Sequence, residues 1–344
     1  MNPSAIPVEN IYYLLCYAWD QVEQGRTVDI SRLQSTQLVD LFAVVLIQGV
    51  ERLAKRGLAQ TYTTREEEFR GIRGRVDLLQ TERRLLRKHG RATCQYDELS
   101  VNSLPNRIIK STLKLLGRHP SIDKTNRAAV LRLARELQGV DDTRITAASF
   151  QRVQLNSNSR LYRFLLNICE LIDGSWLVDE KTGAYRFIDF FDDDKRMPYV
   201  FQFFVYNFLR IERRDLRVSR ENIRWRATSD SEVSLSLLPL MQTDVSIDVG
   251  ARHVILDTKF YRETLGGKFG AQKLHTEHLY QLFSYLANRD PDKGKCEGIL
   301  LYPTVDIDLQ AQFSVLDFPV TVRTLNLARP WQKIHSDLAS LVLA

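Results

Sequence analysis

Asp244, Asp257 and Lys259 are the residues whose types and spacing could do chemistry, and they share the stretch Met241-Gln-Thr-Asp-Val-Ser-Ile-Asp-Val-Gly-Ala-Arg-His-Val-Ile-Leu-Asp-Thr-Lys259. Two alternating segments, 241–248 and 253–259, flank a glycine-containing turn and read as a β-hairpin with a medium-length loop. If Asp248 faces His253 at the turn, the same register sets Asp244 opposite Asp257. Strand side chains alternate with period two, so Lys259 falls on the face of Asp257, and Val245, Ile247, Val254 and Leu256 fall on the other. Two adjacent carboxylates repel, which raises a pKa unless a cation lies between them. A hard divalent ion such as Mg²⁺ takes one or two carboxylates plus water and phosphate oxygens, and it activates a bound water near neutral pH. Lys259 would orient that water or balance the charge of a phosphate transition state. Such a set serves a metal-dependent phosphodiesterase, although a cross-strand ion pair on a solvated strand uses the same residue types.

The elements that must hold this face follow from hydrophobic periodicity. A helix from Pro198 to about Arg213 buries Phe201, Phe204, Val205, Phe208 and Leu209; strands follow at 222–227 and in the hairpin; a helix over 277–286 buries Leu279, Leu282, Phe283 and Leu286; a strand at 298–303 closes the pattern. Helix, three strands, helix and strand make an α/β sandwich. Gln281 on the later helix could reach a metal-bound water or a phosphate, or serve as a half-buried amide capping the sheet. His275 and His278, spaced i, i+3, lack a third ligand and read as polar residues at the helix start, while His253 reads as structural.

Upstream, residues 8–19 read as a helix capped by Asn10, and a second runs from about Ser35 to Ala54, stopping at Gly57. From Gln60 the pattern becomes extended. Gly71 and Gly74 bracket Arg73, with Arg75 following, and such a loop could present two arginines to a phosphate or carboxylate, including a nucleotide site in trans. The same arginines could equally pair with Glu66, Glu67 and Glu68 within the hairpin. Arg83, Arg84, Arg87, Lys88 and Arg91 read as the solvated face of a helix, and further helices are expected at 106–116, 123–138 and 157–173. The run Asp192-Asp193-Asp194 marks an exposed linker, which divides the chain into 1–192 and 193–344.

Composition narrows the class. The 344 residues and net charge of +6 suit a soluble protein of two or three domains able to approach a polyanion. No apolar run has membrane-spanning length, and a cytoplasmic location is the expectation. Cys16, Cys94, Cys169 and Cys296 show no metal-binding or disulfide spacing. The phosphate-cradling pattern G-x-x-x-x-G-K-[ST] does not occur, so any nucleotide-driven motor would be another protein.

Several segments together carry a family resemblance: Ile6-Pro-Val-Glu-Asn-Ile-Tyr-Tyr-Leu-Leu-Cys-Tyr-Ala-Trp19, Gly71-Ile-Arg-Gly-Arg75, Asn106-Arg-Ile-Ile-Lys-Ser-Thr112, Leu238-Pro-Leu-Met-Gln-Thr-Asp244, Asp257-Thr-Lys-Phe-Tyr261, Leu279-Tyr-Gln-Leu282 and Leu301-Tyr-Pro303. In this order they resemble the McrC family, nuclease subunits of McrBC-type modification-dependent restriction systems. The resemblance implies an α+β N-terminal adaptor with a projecting hairpin, residues 1–192, followed by an α/β PD-(D/E)xK nuclease-like domain, residues 193–344. It implies a Mg²⁺-dependent DNA endonuclease with Asp244 and Asp257 as metal ligands, Lys259 as the catalytic amine and Gln281 assisting. Gln202 stands where many such nucleases carry an auxiliary glutamate. It further implies double-stranded DNA and a McrB-like AAA+ GTPase hexamer as partners, with Arg73 and Arg75 activating that GTPase. A subunit without nuclease activity that only activates the GTPase, and a stand-alone repair nuclease, are the alternatives.

Overall fold

The computed structural model describes residues 6–30, 37–156, 159–174, 176–178, 185–187, 196–260, 274–290 and 294–342. Contacts divide the chain into two compact units, one built from Met1–Leu38 with Ser175–Ala344 and the other from Val39–Gly174.

The first helix, α1 (Val8–Ala18), explains why the first unit is discontinuous. Its residues Asn10, Ile11, Tyr12, Leu14, Leu15, Cys16, Tyr17 and Ala18 are all buried, far more than one amphipathic stripe. Pro7 holds the N-cap position, and Asn10 lies inside the helix rather than capping it. The Asn10 amide donates to the carbonyls of Leu327 and Arg329, both at 2.8 Å.

The unit of residues 39–174 contains most of α2 (Leu38–Arg56), three strands β1 (Thr61–Arg70), β2 (Arg75–Val76) and β3 (Arg91–Ser100), and helices α3 (Leu104–Gly117), α4 (Lys124–Glu136) and α5 (Arg160–Gly174). Strands β1 and β3 pair antiparallel over their whole length, from Thr61 opposite Ser100 to Arg70 opposite Arg91. The basic segment 83–91 is not one helix: a short helix ends at Arg83, Leu85 and Gly90 adopt left-handed backbone, and only a 3₁₀ turn lies between them.

The remainder of the first unit contains α6 (Arg196–Glu212), β4 (Arg217–Ser219), β5 (Val245–Val249), β6 (Arg252–Thr258), α7 (Thr276–Arg289), β7 (Cys296–Thr304), β8 (Gln310–Val315), β9 (Phe318–Asn326) and α8 (Trp331–Ala339). The sheet order is β8-β9-β7-β6-β5-β4; β7 runs parallel to β6 and to β9, and the other pairs are antiparallel. Helix α7 links the parallel pair and packs Leu282 and Leu286 against Ile255, Leu300, Tyr302, Val320 and Val322. On the N-terminal side, the Asn207 amide of α6 donates to the carbonyls of Tyr17 and Ala18, and Tyr13 of α1 stacks on Trp331 of α8 at 4.7 Å between ring centroids.

The expected fold class is therefore corrected. An adaptor of residues 1–192 followed by a self-contained α/β nuclease-like domain of 193–344 is not how the chain packs, because α1 completes the later unit and the other unit ends at Gly174. The Asp192–Asp194 boundary lies outside the described residues. Two strands and a helix after residue 303 were also not expected. Among the described residues no helix is long and apolar enough to cross a membrane.

Candidate functional site

The hairpin register places Asp248 opposite His253 and Val245 opposite Leu256, where the ladder ends. Asp244 and Asp257 are the next residues beyond that last pair. Strand β6 then continues beside β7, with the Lys259 amide donating to the Leu301 carbonyl at 2.9 Å.

Asp257 is fully buried, and neither of its carboxylate oxygens has a directed hydrogen-bond partner. One oxygen, Oδ2, lies 2.7 Å from Lys259 Nζ as an ion pair. Burial pushes the Asp257 carboxyl up to about 7; the Lys259 charge works against this, and the nearby Asp244 carboxylate adds to it. Asp244 turns its Oδ2 toward the end of β6, accepting from the Thr258 amide at 2.8 Å and from Thr258 Oγ1 at 2.7 Å. Lys259 donates to Gln281 Oε1 at 2.8 Å. Gln281 Nε2 in turn donates to the Tyr285 hydroxyl at 2.7 Å, and that hydroxyl donates to the Gln242 carbonyl at 3.1 Å. This chain fixes which end of the Gln281 amide meets the lysine. Thr258 and Tyr285 are thus parts of the site that sequence reasoning missed; neither carries a formal charge, and Tyr285 is identifiable only as the next residue one turn along the Gln281 face.

The histidines stand apart from this chemistry. His278 is buried with Nδ1 2.8 Å from the Tyr302 hydroxyl, and burial, then the charges of Lys259 and His275, push it down to about 4, so it is neutral at pH 7. His253 is buried between Asp248, 2.7 Å from Nδ1, and Glu221, 3.1 Å from Nε2. Gln202 is half-buried on α6.

In the other unit, Arg73 is exposed, and its guanidinium lies over the Tyr96 ring, 3.9 Å from the centroid, and 5.7 Å from that of Phe69, a cation–π contact on the β1–β3 hairpin. Gly74 has φ +68, and a Cβ there would press on the Gln95 carbonyl and the Tyr96 side chain, so the glycine permits this close return. Arg75 is exposed and pairs with Gln95 as the start of β2. Both arginines of the expected pair are exposed, Arg73 over an aromatic ring and Arg75 in a strand.

Two carboxylates, one of them buried without directed hydrogen bonds, suit an ion of the Mg²⁺ class, which needs no more than one or two protein carboxylates. Among the described residues no group of three His, Cys, Asp or Glu side chains could hold a metal.

Comparison with known proteins places the whole arrangement. Residues 8–303 match the family model described as "McrBC 5-methylcytosine restriction system component". A curated relative from Escherichia coli (strain K12), the "Type IV methyl-directed restriction enzyme EcoKMcrBC", is 34% identical over 342 residues, covering 99% of this chain and 98% of that one. A solved structure described as a "Refined half-complex from tetradecameric assembly of Thermococcus gammatolerans McrB AAA+ hexamers with bound McrC" shares the fold with TM-score 0.59 at 15% identity, over 97% of this chain and 74% of that chain. A second, of the "Thermococcus gammatolerans McrBC complex", reaches TM-score 0.45 at 17% identity over 60% of this chain and 58% of that chain.

These findings correct the finer expectations. The matched descriptions name the McrBC system, and the fold-sharing assembly is described by its McrB AAA+ hexamers with bound McrC, so the identification as the McrC nuclease subunit is withdrawn. The PD-(D/E)xK nuclease-like fold class is withdrawn with it. The Mg²⁺-dependent endonuclease, an expectation tied to that subunit, is withdrawn with it. The expected partners, a McrB-like AAA+ GTPase hexamer and double-stranded DNA, are withdrawn as well; the association of McrB hexamers with McrC is a property of the fold-sharing assembly. What the match over residues 8–303 and the near full-length relative establish is that this chain belongs to the family of McrBC 5-methylcytosine restriction system components.

Proposed function

We propose that the chain is a working subunit of a 5-methylcytosine-directed restriction system, acting in complex with the complementary subunit of that system, and that Asp244, Asp257, Lys259 and Gln281 form its divalent-cation site. The observation that carries this reading is Asp257: a fully buried carboxylate without directed hydrogen bonds, with a second carboxylate near enough to raise its pKa. Buried charge of this kind costs stability unless something neutralises it, and groups held in that state concentrate at functional sites.

Mg²⁺ bound here would supply a concentrated positive charge for polarising an oxygen ligand. The chain's own residues do the positioning. Thr258 holds one oxygen of Asp244, Tyr285 orients Gln281, and Gln281 with Asp257 holds the Lys259 ammonium. At pH 6.5 Asp257 is largely protonated, so cation binding must displace its proton.

Two measurements test this together. Titrating the protein with Mg²⁺ in weak buffer at pH 6.5 should release close to one proton per ion, and Asp257→Asn should release none. In cells carrying the complete system, Asp257→Asn should also abolish restriction of a 5-methylcytosine-containing plasmid. Undiminished restriction in that variant, or proton release unchanged by it, would remove the site from the function.

A further inference from the structure

A second charged cluster lies between β9 and α8. Arg323 on β9 lines a pocket of about 370 Å³ together with Asp308, Gln310, Arg329, Asp337 and Ser340. The other charges there are mutually satisfied. Arg329 bridges the carboxylates of Asp308 and Asp337, and Lys333 Nζ lies 2.8 Å from Asp337. Arg323 is different: among the described residues its guanidinium has no carboxylate partner and no hydrogen-bond acceptor, and its Nε is buried.

The enclosed Nε–H of Arg323 has no acceptor, so it loses its hydration without recompense, and it lies in a pocket where the guanidinium can meet a ligand. Neutralising the cluster in pairs leaves one positive charge over, since Arg323, Arg329 and Lys333 face only Asp308 and Asp337. The planar fork of an arginine matches the paired oxygens of a carboxylate or phosphate, and such charge-assisted bonds are the strong ones. The pocket has the size of a small-molecule site.

We propose that this pocket binds a small oxyanion, a carboxylate or phosphate group, with Arg323 as its anchoring donor and Gln310 and Ser340 as neutral hydrogen-bonding neighbours. The site is separate from the Asp257 cluster and does not rest on it.

Inorganic phosphate and acetate serve as the probes. Thermal denaturation of the full chain at constant ionic strength, with chloride as the control anion, should show a concentration-dependent rise in Tm with at least one probe. Comparing the probes tells phosphate from carboxylate chemistry. Arg323→Met, which keeps the stem that packs on the sheet, should lose the effect, weakening apparent affinity at least about tenfold. Arg323→Lys should recover only part of it, because charge remains and the fork does not. A Tm independent of both anions, or the same anion-dependent rise in Arg323→Met as in the wild type, would overturn the proposal. Melting of Arg323→Met in chloride alone shows whether the variant is folded, and if it is not, the Arg323→Lys comparison decides: affinity equal to wild type overturns the forked contact.

Discussion

Asp257 and His278 titrate through the same pH range with opposite consequences for stability. Asp257 has its carboxyl raised from 3.8 to about 7, so between those values the folded state holds a proton that the unfolded chain has released, and stability falls as pH rises through that window. His278 is pushed from 6.5 down to about 4, so the unfolded chain binds the proton first, and stability is lost as pH falls through that window. Each effect is on the order of 3 kcal/mol, and between about pH 4 and 6.5 they largely cancel. Replacing His278 by Gln should expose the Asp257 slope alone: urea denaturation at pH 4, 5.5 and 6.5 should show the variant losing about 3 kcal/mol relative to wild type across the series. Parallel stability profiles would show that the two groups are not poised as described. At this scale the strand alternation of Asp257 and Lys259 and the turn pairing of Asp248 were readable, because period two and a glycine turn determine them. The turn of Asp244 toward Thr258 was not, since it depends on where the ladder stops. Nor was Arg73 readable, because its stacking on Tyr96 comes from a cross-strand neighbour more than twenty residues away.

Helix α7 sits close to β7 because Gly298 has no side chain there; a Cβ at that position would come 2.7 Å from Leu282 Cδ2. The same helix carries Gln281, so this contact sets how near the amide comes to Lys259. Gly298→Ala should cost about 1–3 kcal/mol by overpacking, read by denaturant melts. It should also weaken Mg²⁺-linked proton release at pH 6.5 more than Ala substitution at exposed Gly294, which has open space around it. Equal effects of the two changes would separate the helix spacing from the site. Long periodic helices such as α2 and α3 could be read from sequence, with ends moved by only a few residues. The edge strand β8 was not anticipated although Ala311, Phe313 and Val315 alternate with polar residues; its residues are mostly exposed, so the stripe is short and only partly covered. The basic 83–91 segment misled for the opposite reason: its charges have helical spacing, yet left-handed Leu85 and Gly90 break it.

Across the whole molecule, the unit of residues 39–174 is an insertion between α1 and the sheet it serves. A fragment of 39–174 should fold by itself, with cooperative thermal unfolding seen by circular dichroism. A fragment of 193–344 should not, because it leaves the α6 and α8 surfaces that α1 covers open to water, including Tyr17's seat beside Phe208 and Trp331. Addition of a peptide spanning residues 6–30 should restore cooperativity to a fragment beginning near 175, and a cooperative melt of 193–344 alone would contradict the packing of α1. Periodicity could not reveal this insertion. An amphipathic helix announces that it will be buried, but the identity of its partner is written in carbonyls more than three hundred residues downstream.

That separation has a temporal side. During synthesis on the ribosome α1 emerges more than three hundred residues before the Leu327 and Arg329 carbonyls that receive Asn10. The middle unit can mature while α1 waits with apolar residues uncovered, so the nascent chain should recruit chaperones to α1, and a premature stop near residue 320 should leave an aggregation-prone product.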